Sequence, residues 1–249
     1  MKLKSILIST GIVVVYLILV ILGYFNSGEG AINRIFKGMG GDISGGGYIQ
    51  IFTLWIFCLG IMEILDKVGS VKREKKFLRH SLLPSEEHIV FGVDEVNNIR
   101  VKVNDYLKSK SDDDIRNFYL LRMIKSVCTK FRANKSVSET LEIVNIQSRI
   151  NLAKTESGQS IIKYIAWAIP SIGFIGTVLG IAQALEVANQ SVDIVTSTLA
   201  IAFDTTLFSL ILSLIYMWYF HILQEDNEIL HSEIEEFVIN QLVNKIDVS

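Results

Sequence analysis

Long apolar runs alternate with charged ones along this chain. Ile6–Tyr24 is uncharged and rich in Ile, Val and Leu. Gly45–Met62 is uncharged up to Glu63, and Tyr164–Leu185 has no charge at all. Ile194–Phe220 carries one acid, Asp204. A helix needs about 20 residues to cross the hydrocarbon core, so each run is long enough to span. Lipid offers the backbone no hydrogen-bond partner, which forces each span to be helical. The pattern predicts an all-α, polytopic membrane protein with four transmembrane helices. Lys2 and Lys4 precede the first span as they would a signal peptide. The run is long, however, and Gly23-Tyr24-Phe25-Asn26 has no small-x-small cleavage site, so it is read as a retained anchor.

The basic residues orient the spans. Lys2 and Lys4 place the N-terminus in the cytoplasm. Lys67, Lys72, Arg73, Lys75, Lys76 and Arg79 follow the second span and stay inside. The connector Glu186–Asp193 holds two acids and no base, as expected outside. Both termini are therefore expected to face the cytoplasm of a bacterial inner membrane. The outer loop, Phe25–Ser44, is Gly-rich with balanced charge.

Between the second and third spans lies a cytoplasmic helical region that carries 19 of the chain's 24 basic residues. Ile115, Phe118, Leu121, Ile124, Cys128 and Phe131 recur at helical spacing and predict a helix over Ile115–Phe131. Ser136–Lys154 reads as another, with Val137, Leu141, Val144 and Ser148 on one stripe. Ser136-Val137-Ser138-Glu139 has capping-box spacing at its start. Pro84 and the Ser111-Asp112-Asp113-Asp114 run mark breaks. The helical pattern runs on towards the third span, weakened at Gly158. The tail from Gln224 repeats the pattern with Ile229, Leu230, Ile234, Phe237, Val238 and Leu242. It either packs on the basic region or is a solvated helix completing the same domain. The expected divisions are a two-helix membrane hairpin over 1–65, the cytoplasmic region over 66–163, a channel-type hairpin over 164–223 and a C-terminal helix over 224–249.

Composition narrows the function. Half of the residues are hydrophobic, too many for an ordinary soluble domain of this size, and a net charge of −2 gives no footprint for nucleic acid. Cys58 and Cys128 lack any C-x-x-C or Cys/His spacing and read as unpaired thiols. No P-loop, H-E-x-x-H or G-x-S-x-G motif is present, and His80, His88, His221 and His231 are scattered. An enzyme, a metal and a cofactor are not expected.

The third and fourth spans carry the candidate chemistry. Gly173, Gly176, Thr177, Gly180 and Ala184 form a smooth stripe at spacings of three and four, with Pro170 expected to kink the helix. Such a stripe is also what plain helix packing needs. In the fourth span, Asp204 costs on the order of 3 kcal/mol near mid-bilayer. It is either a functional acid or structural glue bonded to a neighbouring hydroxyl. Thr205, Thr206 and Ser209 lie beside it and can also bond back to their own helix. At about 100° per residue, Asp204 points roughly opposite to Thr206, so the two do not share one narrow pore.

These two spans, Pro170-Ser171-Ile172-Gly173-Phe174-Ile175-Gly176-Thr177-Val178-Leu179-Gly180-Ile181 and Leu199-Ala200-Ile201-Ala202-Phe203-Asp204-Thr205-Thr206-Leu207, resemble the MotA/TolQ/ExbB proton-channel family. The likeness covers about residues 160–222. It implies a pentameric ring around two copies of a single-span, MotB/TolR/ExbD-like partner whose helix carries the ion-binding aspartate. It also implies that proton or sodium motive force becomes mechanical work. Thr177 and Thr206 match the family's pore threonines, and Thr205 and Asp204 join them as ion-pathway candidates. ExbB-like members have glutamate where this chain has Ile201, and Asp204 follows one turn later on nearly the same face. Ile215 stands where many members have a proline. The four-span layout resembles flagellar MotA, whereas the span motifs resemble ExbB. The competing reading is a non-conducting membrane scaffold or sensor. H⁺ and Na⁺, and the machine driven, are not distinguished.

Overall fold

The computed structural model describes residues 3–28, 30–79, 90–109, 118–189 and 191–247. Lys2, the break at Pro84, the run from Ser111, the helix start at Ile115, and His80 and His88 lie outside them. The described residues are almost wholly helical, with no strand among them and one isolated parallel bridge between Phe91 and Ile246. Four segments are long and apolar enough to cross a membrane: Leu3–Asn26, Tyr48–Arg79, Val137–Glu186 and Val192–Lys245. The chain divides into two compact units, Met1–Asp66 with Ser160–Ile222, and Lys67–Gln159 with Leu223–Ser249.

The first unit holds α1 (Leu3–Asn26), α2 (Ala31–Phe36), two π-helical turns (Lys37–Gly41 and Ile43–Gly47), the start of α3 (Tyr48–Arg79), α7 (Ser160–Glu186) and the first part of α8 (Val192–Gln241). Its interior mixes large apolar residues such as Ile64, Ile169 and Tyr216 with small and polar ones, and its outer surface is apolar. On α1, Ser5, Ser9, Val13 and Val20 are buried while Leu7, Val15, Leu19 and Leu22 are exposed. Phe174 and Leu185 on α7, and Leu207, Leu214 and Trp218 on α8, are exposed as well. Large apolar residues facing outward, over helix contacts that include small and polar residues, is the arrangement that lipid favours.

The segment expected as an outer loop is folded against the helices. Asn33 Nδ2 donates to Tyr24 O at 2.8 Å, Tyr16 Oη to Met39 O at 3.0 Å and Gln50 Nε2 to Gly38 O at 3.3 Å. Tyr16 lies in the middle of the first apolar run, so residues 31–47 turn back along α1. Gly40 (φ 98°) and Gly46 (φ 119°) make the reversals, in backbone conformations that other residues rarely adopt. The helix of the second apolar run, α3, consequently starts at Tyr48, three residues after the expected start of its span.

In the second unit, α4 (Val93–Ser109) packs on α5 (Tyr119–Asn134), and α5 packs on α6 (Val137–Gly158). The spacing-predicted core is present: Phe118, Leu121, Ile124, Cys128 and Phe131 are all buried. Ser136 caps α6, its Oγ accepting from Glu139 N at 3.3 Å. The reciprocal half of the capping box is absent, because Glu139 pairs with Lys130 at 2.8 Å and with Asn134. Those partners hold its carboxyl below the usual range. The tail completes this unit: Leu230, Ile234, Val238 and Leu242 are buried, Lys75 Nζ meets Asp226 Oδ1 at 2.8 Å, and Ser148 Oγ donates to Glu235 Oε2 at 2.6 Å.

Candidate functional site

The glycine stripe of α7 is the surface on which α8 lies. A Cβ added to Gly176 would sit 2.5 Å from Thr205 Oγ1, and one on Gly180 would sit 2.5 Å from Ala202 Cβ. At Gly173 it would overlap the Ser209 hydroxyl. Only hydrogen at these positions lets the two backbones approach this closely. Pro170 lies within α7, which continues through it.

That approach brings hydroxyls together. Thr177 Oγ1 contacts Thr206 Oγ1 and lies 3.1 Å from Ala202 O. Thr206 Oγ1 donates to Gly173 O at 3.1 Å, and Thr205 Oγ1 to Ala202 O at 2.7 Å. Thr177 and Thr205 also lie 3.4 Å from Gly173 O. The Gly173 carbonyl is thus a common focus of three threonines. Each hydroxyl has one proton to donate and keeps lone pairs, so the cluster is a set of hard oxygen ligands that can pass a proton or hold a cation. Thr205 is buried between the helices, while Thr177 and Thr206 are half-buried at the edge of the contact.

Asp204 occupies the other flank of α8. Its carboxylate receives both guanidinium nitrogens of Arg34, Nη1 on Oδ2 and Nη2 on Oδ1, the latter at 2.9 Å. Gly38 approaches the same carboxylate, and Gly46 approaches Ile201 one turn away. Ile201 and Asp204 therefore share a face, covered by the folded-back segment. The acid's partner is an arginine 170 residues away rather than a hydroxyl beside it. Exposed Arg34 (50%) and largely covered Asp204 (13%) line a mostly apolar cleft with Ile35, Leu207 and Ile211.

Two participants were not singled out from sequence. Arg34 is one charge in a loop of balanced charge, and nothing local marks its partner. Gln50 is 1% exposed, with Nε2 bonded to Gly38 O and Oε1 without a partner among the described residues. A lone amide in an apolar run was its available signal. Among the described residues no His, Cys, Asp or Glu cluster fits a metal. Of the described histidines, His221 is exposed and His231 is buried against Thr155 and Tyr119.

The profile of the MotA/TolQ/ExbB proton channel family matches residues 112–236, half of the chain, including α7 and most of α8. No curated protein and no solved structure matches the chain.

Proposed function

This chain belongs to the MotA/TolQ/ExbB proton channel family, and from that premise we propose that it is the ring-forming subunit of an ion-driven motor in a bacterial inner membrane. The family is one of membrane channel proteins that work with single-span partners, not of enzymes. Five copies of this chain surround two copies of a MotB/TolR/ExbD-like partner, with both termini in the cytoplasm. The lysine and arginine cluster after the second span supports that orientation.

The observation that carries this reading is the convergence of Thr177, Thr206 and Thr205 on the Gly173 carbonyl. A charge moving through 100 mV releases about 2.3 kcal/mol. Binding of H⁺ or Na⁺ neutralises the partner's carboxylate, which then passes the apolar wall of the ring. Release to the cytoplasm restores the charge and its preference for the next hydroxyl site. Two partner helices cannot match five such sites at once, so each ion steps the ring against the partner. Thr177 and Thr206 line this path at the helix edge, and Thr205 holds α8 to α7 behind them. Asp204 contributes from the opposite flank when Arg34 releases it. The Pro170, Gly173, Gly176 and Gly180 surface keeps the two helices in register.

One observation favours the alternative of a non-conducting scaffold or sensor: Arg34 already cancels the charge of Asp204. Co-purification with the single-span neighbour, subunit counting by native mass spectrometry and proton-flux measurement in liposomes separate the two. The motor reading expects five-to-two complexes whose flux falls at least tenfold in Thr177→Val/Thr206→Val. A monomer, or undiminished flux in that variant, overturns it.

A further inference from the structure

The stretch of α8 from Ile201 to Ser209 is gripped from two directions. Ala202, Thr205 and Ser209 meet the glycine face of α7, while Ile201 and Asp204 meet residues 31–47. At about 100° per residue, these two contact lines lie roughly a quarter-turn apart around the helix. Thr206 projects beyond the α7 line, on the side away from residues 31–47. A glycine surface lets α8 come close, but it offers no side chain that stops the helix from turning on it. A helix is rigid over one turn, so a rotation that lifts Asp204 away from Arg34 swings Thr206 through the same angle. For an atom about 5 Å from the axis, a turn of about 20° is a displacement of roughly 2 Å. That is enough to break a hydrogen bond, whose range ends near about 3.5 Å.

Residues 31–47 are themselves fastened at several points. The Phe36 ring seats against Gly23 of α1, where a Cβ would overlap it. Asn33 Nδ2 donates to Tyr24 O at 2.8 Å and to Ser27 Oγ at 3.2 Å. Tyr16 holds Met39 O, and Gln50 holds Gly38 O. Gly38 is also the residue that approaches the Asp204 carboxylate. The Gln50 bond therefore ties α3 to this segment where the segment meets α8. With α1 and α3 as anchors, Arg34 is the arm that reaches α8, and its two-pronged grip fixes direction as well as distance.

We infer that residues 31–47 are a strap that sets the rotation of α8, with Arg34 and Gln50 as positioning residues for the Thr177–Thr206 hydroxyl pair, acting through Asp204 and Gly38. The functional meaning rests on the reading of that pair as the ion path, whereas the geometry can be tested without it. The strap makes the two flanks of α8 alternatives. While Arg34 holds Asp204, Thr206 stays on Thr177. When the fork opens, Asp204 is freed and the hydroxyl pair loses its backing.

Thr177→Cys/Thr206→Cys in the full chain turns the hydroxyl contact into a disulfide reporter. The protein in detergent is oxidised with copper phenanthroline in the cold, and the initial rate of linkage is followed by mass spectrometry of the linked peptides. Onto this parent are placed Arg34→Gln, Gln50→Leu and, as a control, Leu59→Ala, which loosens buried packing of the same unit nine residues beyond Gln50 on α3. Linkage should slow about tenfold in Arg34→Gln and about fivefold in Gln50→Leu, as expected for the loss of one charge-assisted pair and one neutral hydrogen bond. Gln50→Leu removes a buried amide whose Oε1 has no partner among the described residues, so its melting temperature should hold while its rate falls. Leu59→Ala should melt lower yet link at the parent's rate. Parent rates in both Arg34→Gln and Gln50→Leu, or equal slowing in Leu59→Ala, overturn the strap. A parent that does not link overturns the strap together with the threonine site. The expected pattern in a protein that shows no flux upholds the strap and sinks the motor reading alone.

Discussion

Asp204 illustrates what one residue demands of a fold. An ionised carboxylate in an apolar span is costly, and the chain meets that cost with the Arg34 fork. Removing one partner of a covered pair leaves the other charge uncompensated. Arg34→Gln is expected to lower stability by about 2 kcal/mol, less than a fully buried pair would lose because Arg34 is half-exposed. Arg34→Gln/Asp204→Asn should recover most of that loss in detergent melts, and a double variant worse than either single would contradict the pairing. Glu74 offers a second test. Burial raises its pKa from 4.5 to about 7, against the Leu120 and Tyr119 amides and Arg122, which lower it. A raised folded-state pKa means the contribution is complete below pH 4.5 and is lost as pH climbs through about 7. The wild type should therefore lose up to about 3 kcal/mol relative to Glu74→Gln over that interval. His231, whose pKa burial lowers, acts in the opposite sense and weakens the fold as pH falls below 6.5. Using the difference between wild type and Glu74→Gln isolates the carboxyl, and parallel stability curves would refute its role.

Among the elements, the α7–α8 contact is the most exacting. Gly176→Val pushes a branched side chain into the Thr205 hydroxyl, and overpacking of this kind costs about 1–3 kcal/mol. The same substitution separates Thr177 from Thr206, so reconstituted flux should fall further than stability does. Normal flux with a normal melting temperature would mean that the helices tolerate a wider spacing. The α5–α6 turn carries a smaller burden. Lys135 holds the left-handed conformation (φ 48°) while its N–H bonds Phe131 O at 2.7 Å. Lys135→Gly should stabilise the second unit by up to about 1 kcal/mol in urea unfolding. Helix starts and faces in this region were legible because capping and periodicity are local. Ser136 and the Phe118–Phe131 stripe sit where their spacing places them. The start of α5 is different. Phe118 supplies no side-chain cap, and Glu74, 46 residues earlier, bonds Leu120 N instead.

For the molecule as a whole, neither compact unit is continuous in sequence. The tail supplies Leu230, Ile234, Val238 and Leu242 to the core of the second unit. Truncation after Ile222 should leave that unit unfolded, seen as rapid proteolysis of residues 67–159 while the spans stay protected in detergent. A protected, folded 67–159 fragment would show that the tail is dispensable. Of the two readings its amphipathic pattern left open, the tail thus follows the one in which it packs on the region before the third span, with Asp226 on Lys75.

What the sequence by itself determined are the properties carried by neighbours a few residues apart: the apolar spans, the small-residue stripe, the helix cap and the family motif of α7 and α8. Hydrophobic length and helical periodicity suffice for these, because backbone hydrogen bonds and side-chain faces repeat within a turn. Tertiary structure alone decided that the 31–47 segment folds back along α1, that Arg34 answers Asp204 and that three threonines meet at one carbonyl. Those are pairings between distant segments, selected by which groups must be satisfied together once water is gone, and no local pattern encodes the partner.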